Sequence, residues 1–219
     1  MNKLEFVFLG PPACGKGTQS KRLAEELGLP HIDTGALLRK ASGEDSDTAR
    51  IIQSCTSQGK IVPPEIIEKI ITDRLILRDC EKGFILDGYP RNMEQAGILE
   101  KICKKIDTDG CESTLKVFYF ELSEELLLDR ITNRQSCKNC GCTYNLKYAK
   151  PKNDGVCDKC GNVLIQRYDD TAATFPKRMK TFNEETKPVI DFYEGQGVLE
   201  RISAEGESSV VFERLMRAI

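Results

Sequence analysis

The chain has 219 residues, 32 of them Lys or Arg and 34 Asp or Glu, for a formal net charge of −2. Hydrophobic residues at 40% and charged ones at 30% exclude a disordered polyelectrolyte, and the even charge balance argues against a partner held by a general basic excess, such as nucleic acid. No apolar run reaches the roughly 18 residues of a membrane span, and the first residues lead into a strand without a signal-peptide layout, so the expectation is a cytoplasmic protein of one large domain or a domain with inserts.

Leu4-Glu5-Phe6-Val7-Phe8-Leu9 reads as a buried strand. Gly10-Pro11-Pro12-Ala13-Cys14-Gly15-Lys16-Gly17-Thr18 follows, and residues 18–27 read as a helix with Leu23 and Leu27 four apart and Ala24 beside them. Gly17 interrupts the letter of the phosphate-loop pattern G-x-x-x-x-G-K-[ST], and the strand–loop–helix context carries the match. Backbone N–H groups and the helix dipole meet an anion there, and Lys16 reaches the outer phosphates. Residues 30–33 suit a short strand. Residues 34–62 are polar and helical in flavour, with a turn at Gly43-Glu44-Asp45-Ser46-Asp47. Residues 83–86 and 115–121 read as strands, with extra loop length at 104–113. Ser123 suits an N-cap, with Glu124 and Glu125 in the first turn and Leu127 and Ile131 on one face. Residues 184–195 and 208–219 read as helices and 198–202 as a strand. This alternation predicts an α/β fold with a mostly parallel sheet, from which residues 34–62 and 133–170 rise as inserts.

Of the ten cysteines, Cys137, Cys140, Cys142, Cys157 and Cys160 crowd one segment, while Cys14, Cys55, Cys80, Cys103 and Cys111 stand singly. No disulfide framework is apparent. Cys137-Lys138-Asn139-Cys140 and Cys157-Asp158-Lys159-Cys160 are two C-x2-C pairs with 16 residues between them, a spacing suited to a four-thiolate metal site. Gly141 and Gly161 follow the two knuckles where tight turns need glycine. Four protein ligands leave no open position, which makes the metal structural, zinc or iron by coordination chemistry. Cys142 is a spare thiol, not expected to bind.

The strand at 83–86 runs into Asp87, placed as an acid at a strand end beside phosphates and Mg2+. Gly88 permits close backbone approach, and Arg91 faces the same cleft. Arg130 and Arg134, four apart, are expected on one helix face, with Arg167 after the second knuckle and Arg178 in the next helix. Such a set fits phosphoryl transfer, which needs positive groups around the moving phosphoryl, and Asp169 and Asp170 are placed to orient the guanidiniums. Pro176 is tolerated in the first turn of a helix capped by Thr174. His31, the one histidine, is given no catalytic role.

Across essentially its whole length the chain resembles the bacterial-type adenylate kinase family in its long form with a zinc-containing lid. The resemblance implies a P-loop NTPase-type parallel sheet flanked by helices, a core of residues 1–33, 63–132 and 171–219, a helical NMP-binding insert at 34–62 and a zinc-ribbon-like lid at 133–170. It implies reversible transfer of the terminal phosphoryl of ATP to AMP, giving two ADP, with Mg2+ carried by ATP and structural Zn2+ on Cys137, Cys140, Cys157 and Cys160. ATP is expected on Ala13, Cys14, Gly15, Lys16, Gly17, Thr18, Arg130, Arg134, Thr143, Tyr144 and Gly206. AMP is expected on Thr34, Arg39, Lys60, Ile61, Val62, Gly88, Arg91, Gln95, Arg167 and Arg178. Lys16, Asp87, Arg91, Arg130, Arg134, Arg167 and Arg178 would carry the catalysis. The family also implies a cis Tyr89–Pro90 bond and a monomer with no nucleic-acid or membrane partner. Departures from its pattern are Cys14, Ala36 where an aspartate is usual, Asn92 where a threonine is usual, and the loop at 203–206. A UMP or CMP kinase, a GTP-using relative, and a zinc-ribbon adaptor for nucleic acid or protein are the competing readings.

Overall fold

The computed structural model describes residues 3–106 and 113–219. Cys111 and most of the loop expected at 104–113 lie outside them. Five strands form a parallel sheet in the order β2-β3-β1-β4-β8: β1 (Lys3–Leu9), β2 (His31–Asp33), β3 (Gly83–Asp87), β4 (Ser113–Glu121) and β8 (Leu199–Ser203). All five residues of β3 are buried, as are six of the seven in β1. A sheet covered by helices on both faces requires this, and it explains the unbroken apolar run at 6–9. Phe6 and Phe8 pack on Phe118 and Phe120 across the β1–β4 pair, with ring centroids 5.3–5.8 Å apart.

The strand order places the site. The chain leaves β1 through α1 (Lys16–Leu27) toward β2 and β3 on one side, then crosses back to β4 on the other. The loop after β1 therefore sits at a switch point, at the carboxyl end of the sheet, where a crevice opens. The α1 helix begins at Lys16, two residues before the expected start, because Gly15 takes a left-handed φ of 96° and turns the chain directly into it.

Residues 34–62 fold as α2 (Thr34–Ala41) and α3 (Asp47–Ser57). Asp33 caps the first through Ala36 N–H (2.9 Å), and Ser46 caps the second through Ala49 N–H (3.1 Å). The helices α4 (Pro64–Leu75) and α5 (Met93–Ile106) flank β3 in sequence. The α5 helix is anchored by Asn92, whose Oδ1 accepts from Gln95 N–H at 2.9 Å, so asparagine does the capping work open to the threonine it replaces. Tyr89–Pro90 is cis.

Arg130 lies on α6 (Glu124–Thr132), but Arg134 does not share that helix face. The helix stops because the Asn133 side-chain amide takes the Asp129 carbonyl (2.8 Å) that the next backbone N–H would have used. Arg134 instead opens β5 (Arg134–Cys137), the centre of a second, antiparallel sheet with β6 (Thr143–Asn145) and β7 (Leu164–Ile165). Ser123 holds the N-cap position of α6 without a side-chain bond.

From α7 (Phe175–Thr181) the chain passes through a π-helical turn at Phe182–Thr186 into α8 (Lys187–Gly195). Pro176 sits in the first turn of α7, as expected. Pro188, at the start of α8, has no N–H to continue a regular ladder, which suits the widened turn before it. That turn sets Thr186 Oγ1 against the Arg91 carbonyl at 2.8 Å. The C-terminal helix is α9 (Ser208–Arg217). No helix among the described residues is long and apolar enough to cross a membrane.

Candidate active site

A cleft of about 1720 Å³ opens at the carboxyl ends of the strands. Residues 13–18 line its floor, where α1 begins; Thr18 N–H bonds Gly15 O at 3.0 Å, and the N-terminal end of the helix faces the cleft. Lys16 Nζ donates to Pro11 O at 3.3 Å. Two glycines let the parts converge. A Cβ on Gly17 would stand 2.9 Å from Asp87 Oδ2, and one on Gly88 (φ 76°) would meet Thr34 Oγ1 at 3.3 Å, Arg91 Nη2 at 3.6 Å and Lys16 Cε at 3.9 Å. The carboxylate at the end of β3 thus lies against the start of α1, and the lysine and arginine approach one backbone turn from two sides.

Arg39, Arg91, Arg130, Arg134, Arg167 and Arg178 all line this cleft, with Lys60, Ile61, Thr143, Tyr144 and Gly206. Thr34, Val62 and Gln95, expected to touch a nucleotide, are instead buried just behind its wall, at 1%, 4% and 2% exposure. Thr34 Oγ1 is committed to Asp87 O (2.8 Å), and Gln95 Oε1 to Arg91 N–H (2.8 Å). In this conformation they brace Asp87 and Arg91.

Each arginine is aimed by a named group. Arg130 donates to Cys14 O and Ala204 O, and Arg91 Nε donates to Gly88 O at 2.9 Å. Arg134 grips Asp170 with two bonds of 2.6 and 2.5 Å, and Arg178 donates to Asp169 and Asp170 at 2.9 and 3.0 Å. Arg167 donates to Ser136 Oγ at 2.9 Å. Arg39 pairs with Asp33 at 3.4 Å, so a carboxylate stands near Arg39 although position 36 is alanine. Asp33, Ser136 and Thr186 were not found from sequence. Only Asp33 carried a signal, as a capping residue before a helix.

Crowding of like charge shapes the cleft. Burial lowers the Arg91 pKa, and the Arg178 and Arg39 charges lower it further. Burial and the neighbouring Arg134 and Arg39 charges bring Arg167 down to about 10. Burial also opposes the Arg134 charge, but the Asp170 hydrogen bonds outweigh it and raise that pKa. Burial opposes the Asp170 charge too, yet Arg134, Arg178 and Arg167 hold its pKa below the ordinary 3.8. Such a cleft is built to receive several negative charges at once.

Asp170 is fully buried, and removing one partner of a buried ion pair strands the other. Asp170→Ala is expected to cost about 3 kcal/mol of stability, read as a lower denaturant midpoint. The stabilisation is complete above the ordinary aspartate pKa and is lost as pH falls through the depressed folded value. An unchanged midpoint would remove Asp170 as the keystone of these arginines.

Above the cleft, the Sγ atoms of Cys137, Cys140, Cys157 and Cys160 lie within 4.8 Å of one another, with the 137–160 and 140–157 pairs at 3.4 Å. A tetrahedral ion with about 2.3 Å metal–sulfur bonds spaces its ligands about 3.8 Å apart, within that spread. The knuckles are alike: Gly141 N–H bonds Cys137 O, Gly161 N–H bonds Cys157 O, and both glycines have φ near 70°. Cys142 is outside this set; its sulfur meets Lys21 Nζ at 3.5 Å.

A parallel sheet with a glycine-rich loop leading into a helix at its switch point, facing a cleft of arginines, defines a P-loop nucleotide-binding protein. The adenylate kinase family profile matches residues 8–198. Proteins named adenylate kinase are similar over nearly the whole chain. One from Caldanaerobacter subterraneus subsp. tengcongensis is 41% identical over 216 residues, covering 99% of this chain and 96% of its own. One from Archaeoglobus fulgidus is 41% identical over 196 residues (90% and 88%), and one from Bacillus licheniformis is 39% identical over 209 residues (95% and 94%). The chain belongs to the adenylate kinase family and is a nucleoside monophosphate kinase.

Proposed function

We propose that this chain transfers the terminal phosphoryl group of ATP to AMP, reversibly, giving two ADP. The observation that carries this reading is the convergence of Lys16 with Arg39, Arg91, Arg130, Arg134, Arg167 and Arg178, among eight arginines, on one cleft whose floor is a helix N-terminus. ATP lies on residues 13–18 with Lys16 at its outer phosphates, and Arg130 and Arg134 flank it. AMP takes its place on the side of α2, where Arg39, Arg91, Arg167 and Arg178 surround its phosphate. Asp87 is the group that would hold the Mg2+ accompanying ATP, which supplies further neutralisation of phosphate charge when bound. No general base is required, because the attacking AMP phosphate oxygen is already an anion at neutral pH. The protein's part is positioning and charge stabilisation.

Residues 133–170 act as a lid held together by structural Zn2+ on the four cysteines, and residues 34–62 as the AMP-binding insert. Closing the lid excludes water, which suppresses hydrolysis of ATP in favour of transfer. The near-neutral charge of the chain supports nucleotides rather than nucleic acid as its partners.

The test is a coupled turnover assay with Mg2+–ATP and, in turn, AMP, GMP, UMP, CMP and no acceptor. Rapid ADP formation with AMP alone is the expected result. Equal turnover with UMP or CMP would move the chain to a sister activity, and no acceptor-dependent turnover by the folded, metal-loaded protein would remove the assignment.

A further inference from the structure

The strip Arg167-Tyr168-Asp169-Asp170 ends the cysteine-bearing unit, and three of its side chains hold partners already described. Tyr168 reaches the other way. Its hydroxyl donates to Thr56 Oγ1 over 2.6 Å, joining residues 112 apart in the sequence. Thr56 is prepared for that bond. Its own hydroxyl hydrogen goes to Ile52 O at 2.8 Å, one turn back in α3, which leaves Oγ1 with a lone pair to offer and fixes Tyr168 as the donor. Thr56 stands at the end of α3, just before the turn that delivers Lys60 and Ile61 to the cleft. Thr181 Oγ1 donates to Gly59 O at 3.0 Å, so the same turn is tethered to α7 as well.

We propose that Tyr168 is a positioning residue for acceptor binding: its hydrogen bond to Thr56 ties the placement of the adjacent Arg167 to the closure of residues 34–62 over the acceptor. This rests on the reading of Arg167 as a group that holds the acceptor phosphate. Arg167 needs such help. Burial and the Arg134 and Arg39 charges work against its own charge, the more distant help of Asp170 and Asp33 does not offset them, and among the described residues its one hydrogen bond to a side chain is to the neutral Ser136 hydroxyl. A carboxylate placed to hold it would compete with the phosphate. An uncharged bond from the next residue holds the strip without competing.

Tyr168 is 58% exposed, so deleting its hydroxyl leaves the fold intact, and steady-state kinetics can test the bond. Tyr168→Phe and Thr56→Val are each expected to raise the KM for AMP about fivefold, the effect of one hydrogen bond. The KM for ATP and the melting temperature stay unchanged, and kcat stays within about twofold, as for a contact made equally in ground and transition states. The double variant is no worse than either single one, and Thr56→Ser, which keeps the hydroxyl, behaves as the parent. A parental KM for AMP in Tyr168→Phe, equal rises in both KM values, or additive effects in the double variant would overturn the proposal. Arg167→Ala separates the two failures. Parental turnover there would remove the phosphate role of Arg167 and the proposal with it, whereas a large loss there beside an unaffected Tyr168→Phe would overturn the proposal alone.

Discussion

Lys16→Met is expected to lower kcat by about 1000-fold, in line with the loss of one group that stabilises transition-state charge, while the melting temperature changes little. Methionine keeps the unbranched stem that packs beside Gly88, where a Cβ would stand 3.9 Å from Lys16 Cε, and it propagates α1 as well as lysine does. What disappears is the ammonium, whose one described hydrogen bond is to the Pro11 carbonyl at 3.3 Å, a weak contact readily exchanged for a phosphate. The KM for ATP should rise far less than kcat falls, because the amide groups at the start of α1 and the flanking Arg130 and Arg134 remain. Turnover measured beside a thermal melt checks this. Near-parental kcat in a folded variant would show that Lys16 does not act on the transferring group.

The parts of this molecule that could be read in advance were those where function or folding imposes a local pattern. The run Phe6-Val7-Phe8-Leu9 announces a strand buried on both faces, and the loop after it must combine glycines with a lysine at a helix start. The two C-x2-C knuckles likewise bring their own geometry with them, down to the left-handed glycines at 141 and 161. The failures come where a neighbour far away in the chain decides. Arg130 and Arg134 are spaced for one helix face, but the Asn133 side chain ends the helix between them and sends Arg134 into a sheet. The bonds of Thr34 to the Asp87 carbonyl and of Gln95 to the Arg91 N–H were equally beyond local reading. Neither the Tyr168–Thr56 bond nor the use of Ser136 to aim Arg167 leaves any trace in local sequence, because the first depends on two segments meeting across the cleft and the second on β5 pairing beside β7. The cationic residues of the cleft are legible by type; the residues that aim them are legible only in three dimensions.

Removing the metal, by chelation or by Cys157→Ser, is expected to unfold residues 133–170 while leaving the parallel sheet intact. The reason is the composition of the small unit's interior. Its buried cluster is Cys137, Cys157 and Leu164, with Cys140, Cys142, Tyr144 and Cys160 partly buried around it. One aliphatic side chain and strands of four, three and two residues cannot offset the conformational entropy of ordering nearly forty residues. An ion bound by the four cysteines would supply that stability, as it does in small metal-dependent units generally. Cys157→Ser should therefore lose bound zinc and become sensitive to limited proteolysis within 133–170, and retention of parental protease resistance without metal would overturn this account. Catalysis should fall as well, for a reason the topology makes specific. The strand that ends at Cys137 begins at Arg134, and Ser136 between them receives Arg167. The same four residues that carry one of the candidate metal-ligating cysteines thus hold two arginines of the cleft, so an ion bound by the four cysteines would govern whether that charge is in place.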